Sequence, residues 1–232
     1  MTILIVSNMI NTTEQRLQQI HEYNIDIDNR EIYLHSYVME SEENGVDYRV
    51  AINFEKNIRY LDSISNDPII VHMHLPGGDW TDCLGIYDTI KKSKSKIAIL
   101  GYSKAESSSG VIFQAADLRI LMPSSYVLIH YGFLSLDSEH KAAISNFQWN
   151  EKEAKKMLDI FTEKCLESSF AKDKEWKRYS VRKYISAQLS NKSDWILDAE
   201  DAVYHGFADG ILGVSPYTTI EAIKKKIKVK CT

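Results

Sequence analysis

The residues best suited to chemistry lie between Gly101 and Tyr131. A run of three serines, Ser107-Ser108-Ser109, precedes Gly110 and a short apolar segment with helical spacing, Val111 to Ala116. Downstream, Tyr126-Val127-Leu128-Ile129 reads as a buried strand and ends at His130. A serine at the start of a helix lies among backbone N–H groups that no helical carbonyl reaches, and these can hold a developing negative charge. A histidine at the end of a buried strand has a fixed position. Those are two of the three parts of a hydrolase that works through an attacking serine. The same residues also fit a plainer reading, in which the serines cap a helix and the histidine is a satisfied core residue. From these residues alone both readings stay open.

Two further stretches could take part. Pro76-Gly77-Gly78 closes the apolar strand Ile69 to Leu75, and bare glycine backbone lets a ligand carbonyl approach an N–H directly; a tight turn explains it equally. His72 and His74 share one face of that strand, as a metal pair could, but no third ligand stands nearby in sequence.

Elements must hold these residues in place. Strand Pro68–Leu75, the glycine turn, a helix over Asp79–Lys92 and a strand over Lys96–Leu100 form a crossover unit, which predicts a parallel sheet. Leu118–Met122 is a further strand. Val46–Ile64 carries Val50, Phe54, Ile58 and Leu61 at helical spacing and should pack on the sheet. Asp137–Phe170 and Glu175–Leu189 read as long amphipathic helices, with an apolar side that fits another subunit or their own domain. Asp198 caps a short helix that stops at Gly206, and Phe207–Leu212 returns to a strand. Residues 1–29 read as a poorly organised arm with a short helix over Glu14–Tyr23, and residues 214–232 as a basic, solvated tail.

Composition narrows the class. With 232 residues and 44% hydrophobic content the chain can bury a substantial core. Its net charge of −4 predicts no preference for nucleic acid. Cys83, Cys165 and Cys231 lack paired spacing, so neither a disulfide framework nor a zinc site is indicated, which suits a cytoplasmic protein. The opening apolar run is too short for a signal peptide, and no later run could span a membrane. No cofactor is expected.

Four pieces then fall into the order of one family. They are Pro76-Gly77-Gly78 followed by Gly85 to Ile90; the serine-glycine turn leading to Ala115-Ala116; Met122-Pro123-Ser124-Ser125 leading to Ile129-His130; and Asp194 to Asp209 with Ala199-Glu200-Asp201-Ala202 and His205-Gly206. Together they resemble the proteolytic subunit of the Clp protease, a serine peptidase of the crotonase-like α/β fold, built from repeated β-β-α units with a protruding helical handle. The resemblance covers residues 30–213, with the handle over about 133–190. It implies Ser108 as nucleophile, since the family has one residue between nucleophile and glycine, with His130 as base and Asp194 as the orienting acid. It further implies an oxyanion hole from the backbone N–H groups of Gly78 and Ser109.

The resemblance also implies a homo-oligomeric ring, often of seven subunits and often stacked in pairs, that encloses a polypeptide substrate and receives it from a separate ATPase unfoldase or joins other Clp subunits. The chain has no Gly-x-x-x-x-Gly-Lys-Ser/Thr stretch, so ATP use would belong to that partner. It departs from the family in its polar turn, with Lys104 and Glu106, and in lacking a glycine-rich strand over Phe133–Lys141. These departures motivate a second reading, a catalytically weak or regulatory ring subunit. A third reading is an acyl-CoA enzyme of the same superfold.

Overall fold

The computed structural model describes residues 2–36, 45–133 and 139–229. In chain order the elements are α1 (Thr2–Tyr23), β1 (Ile25–Asp26), β2 (Glu31–His35), α2 (Tyr48–Ile64), β3 (Ile69–Leu75), α3 (Trp80–Lys92) and β4 (Ile97–Glu106). Then follow α4 (Ser108–Ala115), β5 (Leu118–Leu121), β6 (Tyr126–Ile129), α5 (His140–Leu166), α6 (Ser169–Asp173) and α7 (Arg178–Lys192). The chain closes with β7 (Trp195–Asp198), α8 (Ala199–Tyr204), β8 (Gly210–Ile211) and α9 (Ile220–Val229).

The central layer runs β1-β2-β3-β4-β5-β8, with parallel pairing from β2 to β8, as the crossover pattern predicts. Its strands are apolar on both sides because both faces are covered. Along β3 and β4, Val71, Met73, Ile97 and Ile99 turn into the main core under the helices. Their neighbours Ile70, Ala98 and Leu100 turn to the opposite face, where they join Leu118 and Ile120.

That opposite face corrects one expectation. The basic stretch read as a solvated tail contains α9, whose Ile223 and Ile227 are fully buried against the second cluster. Ile220, Ile223 and Ile227 follow a three-four spacing, but the lysines between them mask the apolar stripe. Lys224 also reaches across to Glu31 at 2.7 Å, and the other Glu31 oxygen meets His72 Nε2 at 3.0 Å. Because the carboxylate can only accept, Nε2 carries a proton, and Nδ1 lies 3.0 Å from the Tyr102 hydroxyl. Both ring nitrogens of His72 are thereby engaged.

The N-terminal arm differs too, since α1 continues through residues expected to be irregular. Its last turns are anchored by Arg16, which pairs with buried Asp26 at 2.6 Å, and by Asn57, which donates to the Tyr23 carbonyl at 2.7 Å. The stretch expected to form a handle, about 133–190, contains α5, α6 and α7. The second half of α5 buries Met157, Leu158, Phe161 and Cys165 against the core, while residues 140–152 stand off it.

Truncating Ile227 to Ala removes apolar volume from a closed layer and is expected to cost about 2–4 kcal/mol, measurable by urea unfolding. Glu31 gives a pH signature. Burial opposes its charge, but hydrogen bonds from His72 and Lys224 outweigh that and bring its pKa from 4.5 to about 2. The resulting stability is present above pH 4.5 and lost as pH falls toward 2. Unfolding free energy should therefore fall less steeply across that window in Glu31→Gln than in the parent.

Candidate active site

The site grows out of a handover in the sheet. The first half of β4 pairs with β5 through Ala98–Gly101, whereas its last residues, Lys104–Glu106, pair with β6. Ser107 follows, and its N–H extends the ladder to the Leu128 carbonyl at 3.0 Å. The chain then turns into α4 within one residue, with Ser107 at φ 56° and ψ −127°. An L-residue in that region costs roughly 1–3 kcal/mol, and such strain collects at functional sites.

On the far side, β6 pairs antiparallel with β7, and Ile129 faces Trp195. His130 follows Ile129 and Asp194 precedes Trp195, so both leave the end of this ladder together. The resulting geometry is a relay in which Ser107 Oγ lies 2.7 Å from His130 Nε2, and His130 Nδ1 lies 3.1 Å from Asp194 Oδ1. The carboxylate requires a proton on Nδ1, so Nε2 accepts from the Ser107 hydroxyl. An imidazole so disposed can take the hydroxyl proton as the oxygen attacks a carbonyl.

The expected serine is displaced by one position. Ser108 is 4% exposed and its hydroxyl donates to the Gly78 carbonyl at 3.3 Å, away from the imidazole. Ser109 is fully buried, and its hydroxyl accepts from Glu106 N–H at 3.0 Å and donates to the Glu106 carbonyl at 2.9 Å. Counting back from Gly110 selects Ser108 because it assumes where the turn lies. The turn lies at the residue where β4 stops pairing, and that residue is Ser107.

Ser108, not Ser109, follows the serine that meets His130, and its N–H opens α4, where no helical carbonyl reaches it. Gly78 keeps its expected place. Its neighbours bond Val46 on both sides, Val46 N–H to Gly77 O at 3.1 Å and Asp79 N–H to Val46 O at 2.8 Å. In a parallel bridge of this kind the N–H of Gly78 itself points to the opposite side.

Glycine is required here by space. A Cβ on Gly78 would lie 2.3 Å from Val46 N, and one on Gly77 would lie 2.4 Å from Ser107 Cβ and 2.7 Å from its Oγ.

Glu106, the polar departure from the family turn, is engaged elsewhere. It accepts from the Tyr126 hydroxyl at 2.6 Å, with Lys104 at 3.7 Å. Cys83 lies beneath the site and donates to the Ser108 carbonyl at 3.1 Å; burial pushes its thiol pKa up, so it is no competing nucleophile. Most of the stretch expected to lack a substrate-pairing strand, Phe133–Lys141, lies outside the described residues. Among the described residues no three His, Cys, Asp or Glu side chains converge as a metal site would require.

Over Ser107 opens a cleft of about 490 Å³, walled by Gly77–Trp80, His130–Phe133 and the α5 residues Asn150, Glu153, Ala154 and Met157. The sequence alone gave no sign that Trp80 and Glu153 meet here, because 73 residues separate them.

Known proteins are similar to this chain along most of its length. The sequence matches the family model described as Clp protease over residues 21–215. It is similar to ATP-dependent Clp protease proteolytic subunit 3 of Nocardia farcinica, 25% identical over 210 residues, covering 89% of this chain and 86% of that protein. It is also similar to proteolytic subunit 2 of Prochlorococcus marinus (strain MIT 9312), 28% identical over 166 residues, covering 70% and 75% respectively. Among solved structures, a point mutant of ClpP1 from Listeria monocytogenes superposes with a TM-score of 0.63 at 18% identity, covering 85% of this chain and 96% of that one. The crotonase-like fold expected from the sequence is thus the fold observed.

The serine assignment is directly testable. Covalent labelling by a fluorophosphonate, followed by intact mass, should disappear in Ser107→Ala and persist in Ser108→Ala; the opposite pattern would restore Ser108.

Proposed function

The chain belongs to the Clp protease family, and on that premise we propose that it is a serine endopeptidase in which Ser107 attacks, His130 carries the proton and Asp194 holds the imidazole. The observation that supports this is the unbroken relay from Ser107 Oγ through His130 to Asp194, with links of 2.7 and 3.1 Å. In acylation, Ser107 Oγ forms a bond to the peptide carbonyl carbon while its proton passes to His130 Nε2. The tetrahedral oxygen then points at the N–H groups of Gly78 and Ser108. As the C–N bond breaks, His130 returns the proton to the leaving amine. Water, deprotonated by the same nitrogen, next attacks the ester, and Ser107 regains its proton. The two amides contribute most when the charge is on that oxygen, and losing one such donor typically costs a hundredfold or more in rate.

Asp194 acts through orientation. Its side chain is 56% exposed while the His130 side chain is 16% exposed, so the imidazolium forms in a sheltered place beside a carboxylate at the rim. An acyl-CoA enzyme on this fold would not need hydroxyl, imidazole and carboxylate in line, which favours the peptidase reading.

We further place the chain in a ring of like subunits. The stand-off half of α5 exposes Ile144, Phe147 and Trp149, and α2 exposes Tyr48, Ile52 and Tyr60, apolar surface of the kind that partners cover. Its relatives are named as subunits of an ATP-dependent protease. With no phosphate-binding loop in the chain, unfolding work would fall to a separate ATPase.

Two measurements test this. Hydrolysis of an unstructured polypeptide should drop by about 10³–10⁴-fold in His130→Ala and Asp194→Asn, and sedimentation should show a closed oligomer in all three proteins. Undiminished cleavage in His130→Ala would sink the relay, and a monomer at all concentrations would sink the ring.

A further inference from the structure

The cleft above Ser107 has a charge asymmetry that the relay does not use. Among the described residues two carboxylate side chains, Asp79 and Glu153, line it, and no lysine or arginine does. Asp79 is exposed and partly committed, because its Oδ1 caps α3 through the N–H of Asp82 at 2.9 Å. Glu153 is different. It is 91% buried by residue, with 9% of its surface exposed, yet the protein gives its carboxylate a single hydrogen bond, from Trp80 Nε1 to Oε2 at 2.6 Å. Among the described residues no lysine or arginine pairs with it, although Lys152, Lys155 and Lys156 share the groove on its other side.

A buried carboxylate with only one neutral donor is under-compensated. The indole fixes one oxygen and the orientation of the group. The other takes no hydrogen bond among the described residues, and none of the described side-chain oxygens is both sealed from solvent and without a partner, so this one touches solvent. The surroundings suit a long side chain ending in a cation. Met157 lies one helical turn from Glu153 on the same face of α5 and, with Ala154 and the Trp80 ring beside it in the cleft wall, offers apolar surface to a methylene stem. Such a side chain would exchange water for a charge-assisted bond at its tip.

We propose that the cleft selects substrates carrying lysine or arginine beside the scissile bond, with Glu153 as the specificity-determining residue. This rests on Ser107 being the nucleophile, since the cleft is defined by its approach to that hydroxyl. An apolar side chain entering the cleft would instead strip solvent from the Glu153 carboxylate and return nothing to it, so discrimination works in both directions.

Two peptidyl phosphonates that differ only at this position, one with a lysine-like and one with a leucine side chain, provide the test on the assembled protein. The parent should be labelled at least about tenfold faster by the basic probe, and Glu153→Gln should erase that ratio. The amide keeps an oxygen for the Trp80 N–H. Preference for the leucine probe, or an unchanged ratio in Glu153→Gln, overturns the proposal. Benzamidine binding separates this from failure of the nucleophile. Calorimetry should detect it with Ser107→Ala and find it lost on adding Glu153→Gln. If the parent takes up neither probe but Ser107→Ala still binds benzamidine, the nucleophile assignment falls and the cation site stands. No benzamidine binding to Ser107→Ala removes the site. Should Glu153→Gln fail to fold, the parent's probe ratio and the Ser107→Ala titration decide alone.

Discussion

The structure turns on the point where β4 changes partners. One strand cannot hydrogen-bond two neighbours on the same side, so the switch from β5 to β6 along its length forces β6 out of the main layer. The divergence opens the space in which α4 begins, and it carries the register that brings distant residues together. Ser107 extends the β4–β6 ladder by one bond, and His130 and Asp194 are the residues next to the last pair of the β6–β7 ladder, Ile129 and Trp195. Three side chains separated by 23 and 64 residues meet because two ladders end at the same level.

A junction of this kind must be held from below, and the means is a buried polar cluster. Arg119 on β5 grips Asp209 with two parallel bonds of 2.9 and 2.8 Å and places Nη1 between Gln114 Oε1 and the Gly206 carbonyl. Gln114, in turn, donates from α4 to the Phe207 carbonyl at 3.1 Å. The helix that starts at the serines is thereby fixed to β5 and to the loop after α8 by groups that satisfy one another. Removing one member would leave the others buried and unpaired, which costs more than the bond itself is worth. Cys83 also ties α3 to the Ser108 carbonyl.

Much of this was readable from residue order. The parallel sheet followed from apolar strands alternating with amphipathic helices, and His130 and Asp194 from the joint order of four motifs. What could not be read has a common cause in pairing between distant strands. Trp195–Asp198 is too short and too near a helix cap to declare itself a strand, and only its pairing with β6 shows why Asp194 reaches His130. The same holds for α9, whose stripe of isoleucines is legible only once the sheet has a bare face for it to cover. Spacing to Gly110 points to Ser108, whereas the hydroxyl that meets His130 is that of Ser107, because spacing to a glycine is a local rule. The position of the turn is set by Leu128, 21 residues away across the ladder.

The three adjacent serines then divide the work in a way that explains why the strained one is first. A serine in the usual N-cap conformation spends its oxygen on an amide of the first helical turn. Ser107 occupies the cap position with a different backbone conformation and makes no side-chain cap bond, so its hydroxyl remains for the imidazole. Ser109, inside the first turn of α4, clamps both the N–H and the carbonyl of Glu106 and so holds the residue before the turn. Ser108 links the turn to the Gly78 carbonyl, which keeps the two candidate donor amides, its own and that of Gly78, at a fixed separation. Gly77 completes the arrangement by having no side chain where Ser107 stands. The strain at φ 56° is therefore over-determined by contacts on each side of the turn. Relaxing it into an ordinary cap would recover a hydrogen bond for the helix and take the hydroxyl away from His130.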